Sequence, residues 1–201
     1  KQKTAYEIPK RDWSSDVCSS DLGFGGGFGR ALRAGDGLPA GAASAGEPRG
    51  NWRIDPRLLL QYGAEVEVRM IATKEFQAAA EGVAGRYFAV SARSDRMGVR
   101  LEGEPLPGTW SGERLSAPVV PGTVQVPPDG RPIVLLADAQ TIGGYPVLGH
   151  VAAVDLPEVA QLRPGERLRF HPVTLGEASE RLAAREQGLA LLRAGLKEKW
   201  A

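Results

Sequence analysis

Cysteine is almost absent from this sequence, and its absence excludes several kinds of chemistry. The one cysteine, Cys18, lies in an amino-terminal stretch that differs in composition from everything after it. No cysteine follows it, which excludes a disulfide framework, a thiolate nucleophile and a cysteine-based metal site. The two histidines, His150 and His171, have no companions at ligand spacing, so no metal site is expected.

Long apolar runs and an excess of one charge are also missing. The longest apolar run, residues 133–137, has the length of a strand and is far shorter than the ~20 residues that cross a bilayer. The 25 Lys and Arg residues nearly balance the 24 Asp and Glu residues, and no basic stripe is present to meet a phosphate backbone. We therefore expect a soluble, cytoplasmic protein that binds neither membranes nor nucleic acid.

The first 22 residues are interpreted as a segment that is not natural protein. The peptides KQKTAYEI and DWSSDVCSSDL can be read back, codon for codon, into a widely used sequencing-library adapter, with residues 8–11 where its index would lie. The stretch has neither the apolar region nor the small-residue cleavage site of a signal peptide. We predict that residues 1–22 are disordered and stand in place of the natural opening segment.

The remaining sequence has the pattern of a mainly β protein. Short apolar or alternating segments between glycines and prolines predict strands at residues 53–54, 64–71, 87–92, 97–101, 123–126, 133–137, 150–154 and 167–170. A short helix is predicted at residues 74–81 with Thr73 as its N-cap, and a long one at residues 175–200 with a capping box formed by Thr174 and Glu177. An apolar stripe on the long helix is expected to pack on a barrel or on a partner subunit; it consists of Leu182, Leu189, Leu192 and Leu196.

Arg96 and Arg100 form the first candidate site. Strand alternation over residues 94–101 places Arg96, Gly98 and Arg100 on one face, so that the two guanidinium groups flank a position without a side chain. Such a pair can hold a planar anion, because each Arg makes bidentate bonds to a carboxylate or phosphate and the glycine leaves room for it. The same residues also fit a solvated edge strand in which Arg96 pairs with Asp95 or Glu102.

The second candidate site follows a predicted hairpin. Residues 122–126 and 133–137 flank a Pro-Asp-Gly turn, and the second strand leads abruptly into a polar loop, which is a frequent place for a pocket. In this loop Asp138 could act as a base or anchor, Gln140 and Thr141 could contact an amide, and Gly143 and Gly144 could offer backbone N–H groups to an oxyanion. An ordinary glycine turn capped by Asp138 fits the same residues.

Three blocks of this sequence resemble the biotin-dependent-carboxyltransferase-like family, which includes allophanate hydrolase subunit 2 and the C subunit of bacterial 5-oxoprolinase. The blocks are SDRMGVRLEG, VVPGTVQVPPDGRPIVLLADAQTIGGYPVLGHV and DLPEVAQLRPGERLRF, and residues 27–39 are similar to the segment that precedes them. The resemblance implies two cyclophilin-like β-barrels. Residues 23–50 would be a remnant of the first barrel with a linker, and residues 51–201 the complete second barrel with its short helix and long carboxy-terminal helix.

The resemblance also implies a function. The chain would be a subunit of ATP-dependent 5-oxoprolinase, which cleaves the lactam of 5-oxo-L-proline to L-glutamate. Its two partners would be the lactam-utilisation A subunit and the paralogous B subunit. Without its opening segment the chain is expected to be inactive alone. ATP is expected to be bound by the complex and not through a P-loop in this chain, because no Gly-Lys-Ser/Thr follows the glycines of residues 23–29.

Site residues follow from the same analogy. Asp138, Arg96 and Arg100 are expected to be catalytic, with the arginines holding an anionic group of the substrate. The residues expected to bind the amide or lactam substrate are Ser94, Asp95, Gln125, Gln140, Thr141, Gly143, Gly144 and Tyr145.

Two other functions are compatible with the family. A carboxyltransferase acting on urea or a related amide would need biotin on a separate carrier, because neither Met70 nor Met97 adjoins a lysine. A regulatory protein that binds a histidine-kinase inhibitor would need no catalytic residues. Gene neighbours would separate these three functions.

Overall fold

The computed structural model describes residues 34–35, 37, 53–56, 59–60, 62–83, 85–108 and 115–200. The chain divides into two units, Lys1–Trp52 and Arg53–Ala201, and the following description concerns the second. The predictions for residues 1–22, for the glycines of residues 23–29 and for most of the proposed remnant of a first barrel lie outside the described residues.

The described part of the chain contains nine strands and three helices. The helices are α1 (Lys74–Val83), α2 (Leu156–Gln161) and α3 (Leu175–Trp200). The strands are β1 (Glu65–Ala72), β2 (Phe88–Val90), β3 (Gly98–Glu102), β4 (Ala117–Pro118), β5 (Thr123–Gln125), β6 (Ile133–Leu135), β7 (Ile142–Gly143), β8 (Val147–Val151) and β9 (Arg167–Val173).

Seven of the strands close into a barrel in the order β1, β8, β5, β6, β3, β2, β9. Neighbours are antiparallel except for β1 and β9, which run parallel from the Glu65–Arg167 pair to the Ile71–Val173 pair. This one parallel pair joins the first strand to the last. The predicted mainly β barrel with a short helix and a long carboxy-terminal helix is confirmed.

The barrel interior is formed by alternate residues of its strands, as the period of two requires. Strand β1 points Val66, Val68 and Met70 into the core, while its glutamates and its arginine face outward. Helix α1 adds one side to the same core with residues spaced three and four apart, Phe76, Ala79 and Val83. A single apolar core therefore fixes the positions of all the loops described below.

Several predicted boundaries are wrong, for local reasons. Residues 53–54 are not a strand, and β8 spans Val147–Val151 instead of residues 150–154. Helix α2 was not predicted, because Pro157 reads as a helix breaker although proline fits the first turn of a helix. Thr73 does precede α1, but its hydroxyl lies 2.6 Å from the carbonyl oxygen of Val147 and so ties the start of α1 to β8.

Helix α3 begins and ends at the predicted residues, and its capping box is confirmed. Thr174 Oγ1 accepts a hydrogen bond from the N–H of Glu177 at 3.2 Å, and the Glu177 carboxylate accepts one from the N–H of Thr174 at 2.7 Å. Of the predicted apolar stripe, Leu182 is exposed, whereas Leu189, Leu192 and Leu196 are half-buried. Among the described residues, no helix is both long enough and apolar enough to cross a bilayer.

Candidate functional site

Two loops that carry predicted site residues meet at one end of the barrel. Strand β3 begins at Gly98, which pairs with Leu135 at the end of β6, so the loop before β3 and the loop after β6 are adjacent. Arg96 Nη2 lies 2.8 Å from Asp138 Oδ2, and both side chains are about half exposed. The sheet therefore brings together two predicted catalytic residues that are far apart in sequence.

Asp95 shapes the turn that carries Arg96. Its Oδ1 accepts hydrogen bonds from the N–H of Met97 at 2.9 Å and of Gly98 at 3.2 Å, and Asp95 and Gly98 also form an isolated β-bridge. These bonds use a short polar side chain to satisfy the backbone of a tight turn. The carboxylate of Asp95 is thus committed to the backbone.

The predicted placement of Arg96 and Arg100 on one strand face is wrong. Because β3 begins at Gly98, Arg96 lies in the turn and outside the alternation of the strand. The space beside Gly98 is also filled, since a Cβ there would lie 3.0 Å from Ile133 Cγ2 and 3.1 Å from the carbonyl oxygen of Val134. The position beside Gly98 is therefore not the open space that the prediction assumed.

Ser94 holds the backbone of Arg100. Its Oγ accepts a hydrogen bond from the N–H of Arg100 at 3.0 Å, which closes the loop between β2 and β3. The guanidinium group of Arg100 is exposed, and no ion pair within the described ranges involves it. Arg96 is therefore the arginine that the structure places beside Asp138.

Strands β4 and β7 form a small flap on the outside of the barrel. The flap comprises residues 115–120 and 140–146, and its two strands are joined by only two residue pairs, Ala117–Gly143 and Pro118–Ile142. The second segment of the flap follows the loop after β6. At its far end it approaches the end of β5, where the Pro146 carbonyl oxygen accepts a hydrogen bond from the N–H of Val126 at 2.9 Å. The flap contains most of the predicted substrate-binding residues: Gln140, Thr141 and Tyr145 are exposed, and Gly143 and Gly144 are half-buried.

Gln125 lies under this flap. Its neighbours Val124 and Val126 belong to the barrel core, so the alternation of β5 points Gln125 outward. Its side chain is nevertheless only 2% exposed. A Cβ on Gly143 would overlap Gln125 Nε2, so the amide occupies the place where any other residue at position 143 would put its side chain.

A second polar pair lies beside Gln125 on the same outer surface. Thr123 is buried, and its Oγ1 accepts a hydrogen bond from the N–H of Val120 at 3.1 Å and lies 3.3 Å from His150 Nδ1. Burial lowers the pKa of His150 below its ordinary value, which favours the neutral ring. Thr123, Gln125 and His150 thus form an uncharged polar row.

A buried ion pair that no sequence pattern indicated lies at the end of the barrel near α2. Asp155 is 1% exposed, and its carboxylate accepts hydrogen bonds from the N–H of Arg69 at 2.7 Å, from Arg69 Nε at 2.9 Å and from Arg69 Nη2. The hydrogen bonds to Asp155 raise the pKa of Arg69 above its ordinary value, against the effect of burial. The only available signal was an aspartate directly before a helix start.

A groove of about 420 Å³ runs between the outer faces of β1 and β9 and the start of α3. It is lined by Glu67, Arg69, His171, Val173, Glu177, Glu180 and Arg181. Of its two arginines, Arg69 is paired with Asp155 as described above. No cluster of three metal-binding side chains was found in the part of the chain that the structure describes.

Comparison with known proteins gives a family and a set of relatives. The family described as the carboxyltransferase domain, subdomain A and B, matches residues 12–172, so the match begins within the adapter-like segment. The C subunit of 5-oxoprolinase from Haemophilus influenzae is 37% identical over 190 residues, which cover 90% of this chain and 59% of that protein. The C subunit of 5-oxoprolinase from Escherichia coli K12 is 38% identical over 165 residues, which cover 80% of this chain and 52% of that protein. The chain therefore spans little more than half the length of these relatives.

Solved structures support the same fold. The crystal structure of TTHA0988 in space group P212121 is 38% identical, with a TM-score of 0.55 over 71% of this chain and 27% of that one. The urea carboxylase of Kluyveromyces lactis is 19% identical, with a TM-score of 0.53 over 66% of this chain and 13% of that one. At that identity the second likeness concerns the fold alone.

Proposed function

Because this chain belongs to the family of carboxyltransferase domains with subdomains A and B, we propose that it is a subunit of an ATP-dependent 5-oxoprolinase. Such an enzyme opens the lactam of 5-oxo-L-proline to L-glutamate. Two relatives with 37% and 38% identity are named as the C subunit of 5-oxoprolinase. The observation that carries the proposal to a site is the ion pair of Arg96 and Asp138 at the base of the flap.

The pair has the properties of groups that can exchange partners. Both side chains are about half exposed, and an exposed ion pair contributes only about 0–1 kcal/mol to stability. A substrate can therefore separate it at little cost. Arg96 would then bind the carboxylate of 5-oxo-L-proline, and Asp138 would accept a hydrogen bond from the lactam N–H.

The role proposed for Asp138 also fits the direction of proton movement. Opening the lactam forms a C–O bond from water to the carbonyl carbon and breaks the C–N bond; the two protons of the water end on the nitrogen, which becomes the ammonium group of glutamate, while the carbonyl carbon becomes a carboxylate. A carboxylate beside that nitrogen can orient the N–H group and stabilise the developing ammonium group. The chain itself would supply binding and orientation at this step.

ATP is assigned to the partner subunits in this proposal. The groove between the barrel and α3 is lined by the carboxylates of Glu67, Glu177 and Glu180 and by the guanidinium groups of Arg69 and Arg181, of which Arg69 is already bonded to Asp155. This lining has more carboxylates than guanidinium groups, so it does not favour a triphosphate. The A and B subunits of the complex are the proposed partners.

The test is ATP-dependent release of glutamate from 5-oxo-L-proline by this chain together with its partner subunits. We expect Arg96→Ala and Asp138→Ala each to lower kcat/KM roughly 10- to 100-fold, which corresponds to the loss of one charged hydrogen bond. Arg131→Ala is the matched control, because it removes an arginine from another exposed pair, 3.7 Å from Asp129 in the hairpin turn. The control should keep activity within about twofold of wild type, as is usual for exposed pairs.

Unchanged turnover in Arg96→Ala would contradict the role of the ion pair. The assay should be made with the 201-residue chain and with a chain extended to the length of the relatives. Activity that returns only on extension would place part of the site in the added segment.

A carboxyltransferase acting on urea or a related amide is the second candidate. The description of the matching family favours it, and it would use the same ion pair to hold the amide while biotin arrives on a separate carrier protein. Carboxylation of urea by this chain with a biotin carboxylase and its carrier, without lactam cleavage, would favour this candidate over the first.

A further inference from the structure

The flap exposes most of its large apolar side chains, although Val119 is buried. Its outer surface exposes several apolar side chains: Leu115 is 96% exposed and Ile142 is 61% exposed, and Val120 and Tyr145 are also exposed. Its inner surface covers the carboxamide of Gln125. Apolar groups thus face water while a polar group is buried, which is unfavourable on both sides.

The buried amide is also unsatisfied. Gln125 Nε2 has no hydrogen-bond partner among the residues that the structure describes, although it is shielded from solvent. A buried donor without an acceptor destabilises a fold, and such groups in native structures call for an explanation. The neighbouring Thr123 illustrates the usual outcome, because its hydroxyl bonds to Val120 and lies beside His150.

The flap is weakly attached above this amide. Its strands share two residue pairs with each other and pair with no strand of the barrel among the described residues. Gly143 lies directly on the carboxamide, and the contact is possible only because glycine has no side chain. Lifting β7 would expose the amide without breaking a barrel strand.

We propose that Gln125 is a ligand-binding residue and that the flap is the lid of its site, with Gln125 Nε2 donating a hydrogen bond to the carbonyl oxygen of a neutral amide or lactam. The neighbouring polar row of Thr123, Gln125 and His150 has no formal charge, which suits a neutral carbonyl better than an anion. The inference rests on the proposed function for the identity of its substrate class, and it assigns the lactam carbonyl to a residue other than the Arg96–Asp138 pair.

The first test separates binding from stability with the variant Gln125→Leu in the 201-residue chain. Removing an unsatisfied donor should raise the melting temperature, by roughly 2–6 °C. The same change should weaken binding of 2-pyrrolidinone and of 5-oxo-L-proline roughly tenfold or more, measured by ligand-observed NMR. Gln161→Leu, at the exposed end of α2, is the matched control and should leave binding of both compounds unchanged.

Three outcomes would overturn the inference. A lower melting temperature in Gln125→Leu would mean that the amide already has a partner. Undiminished binding in that variant would mean that the amide is not a ligand group. Wild-type chain that binds neither compound would mean that no lactam site lies under the flap.

The second test uses the contact between Gly143 and Gln125. Gly143→Ala would place a methyl group on Nε2 and push β7 away from β5, so hydrogen exchange of the Val126 amide, which bonds to the Pro146 carbonyl oxygen of the flap at 2.9 Å, should become faster. Adding Gln125→Ala to Gly143→Ala should restore slow exchange, because it removes the side chain that the methyl group meets. Unchanged exchange in Gly143→Ala alone would show that the flap does not rest on this amide.

Failure of this inference is distinguishable from failure of the proposed function. Binding of 2-pyrrolidinone that depends on Gln125, in a complex that releases no glutamate, would retain the site and reject the 5-oxoprolinase reaction. Glutamate release that is the same in wild type and Gln125→Leu would retain the reaction and reject the site.

Discussion

Replacing Asp155 by alanine is expected to destabilise the barrel more than any single change to its surface charges. The carboxylate of Asp155 is 1% exposed and receives three hydrogen bonds from Arg69 on β1. Its loss would leave the Arg69 guanidinium without its partner and the backbone N–H of Arg69 without an acceptor. The link between β1 and the start of α2 would also be lost.

The magnitude follows from the burial of the two partners. Removing one member of a buried ion pair typically costs about 3–5 kcal/mol, because the other charge remains buried and uncompensated. Here Arg69 is 31% exposed and can regain some water, so we expect a somewhat smaller loss than for a fully buried pair, about 2–4 kcal/mol. In a chain of this size such a loss lowers the melting temperature by roughly 5–12 °C.

Urea unfolding followed by far-ultraviolet circular dichroism would measure this loss. The control is Glu65→Ala, which removes a carboxylate from the pair with Arg167, where both side chains are about half exposed. Exposed pairs contribute about 1 kcal/mol or less. If Asp155→Ala and Glu65→Ala lower the free energy of unfolding by amounts within about 1 kcal/mol of each other, the burial argument for Asp155 is refuted.

Two further predictions concern pH and packing. Burial lowers the pKa of His150 below its ordinary value of 6.5. As pH falls below ~6.5, the unfolded chain therefore gains a proton at this histidine before the folded chain does. The stability that the neutral His150 contributes is complete above pH ~6.5 and is lost as pH falls toward the lowered pKa of the folded state. The free energy of unfolding should therefore fall from pH ~7 to pH ~5, and His150→Gln should reduce that fall more than His171→Gln does; equal slopes in wild type and His150→Gln would contradict this. Gly149→Ala should destabilise the barrel by about 1–3 kcal/mol, because its Cβ would lie 2.7 Å from the Ile71 carbonyl oxygen and 2.7 Å from Met70 Cγ. Gly195→Ala on α3 meets nothing within 4 Å and should stabilise by up to about 1 kcal/mol, so chemical denaturation of the two variants should shift the midpoint in opposite directions.

Local sequence signals predicted the parts of the fold that are held by local interactions. The capping box of Thr174 and Glu177 defined the start of α3, and the Pro-Asp-Gly turn predicted the hairpin of β5 and β6, which is confirmed by pairing of Val124 with Val134. In both places, the residues that decide the structure lie within a few positions of each other. Their chemistry can therefore be read from a short peptide.

The parts that could not be predicted depend on contacts between distant residues. Asp138 and Arg96 form an ion pair because β3 and β6 are neighbours in the barrel, and the sequence of neither loop indicates this contact. Alternation alone would leave Gln125 on the outer, wet surface of β5, and it is buried only because the flap passes over it. Arg96 was misplaced because the strand pattern was extended two residues beyond the start of β3.

The parallel pair of β1 and β9 has a consequence for biosynthesis. Glu65 and Arg167, which face each other in this pair, are separated by 102 positions. While a ribosome is still making the intervening strands, both β1 and β2 lack the neighbour that β9 provides, and the growing sheet has two free edges that can pair with other chains. A nascent polypeptide of this kind completes its barrel only when its last strand arrives, so translation that stops before Arg167 would release an open, aggregation-prone sheet.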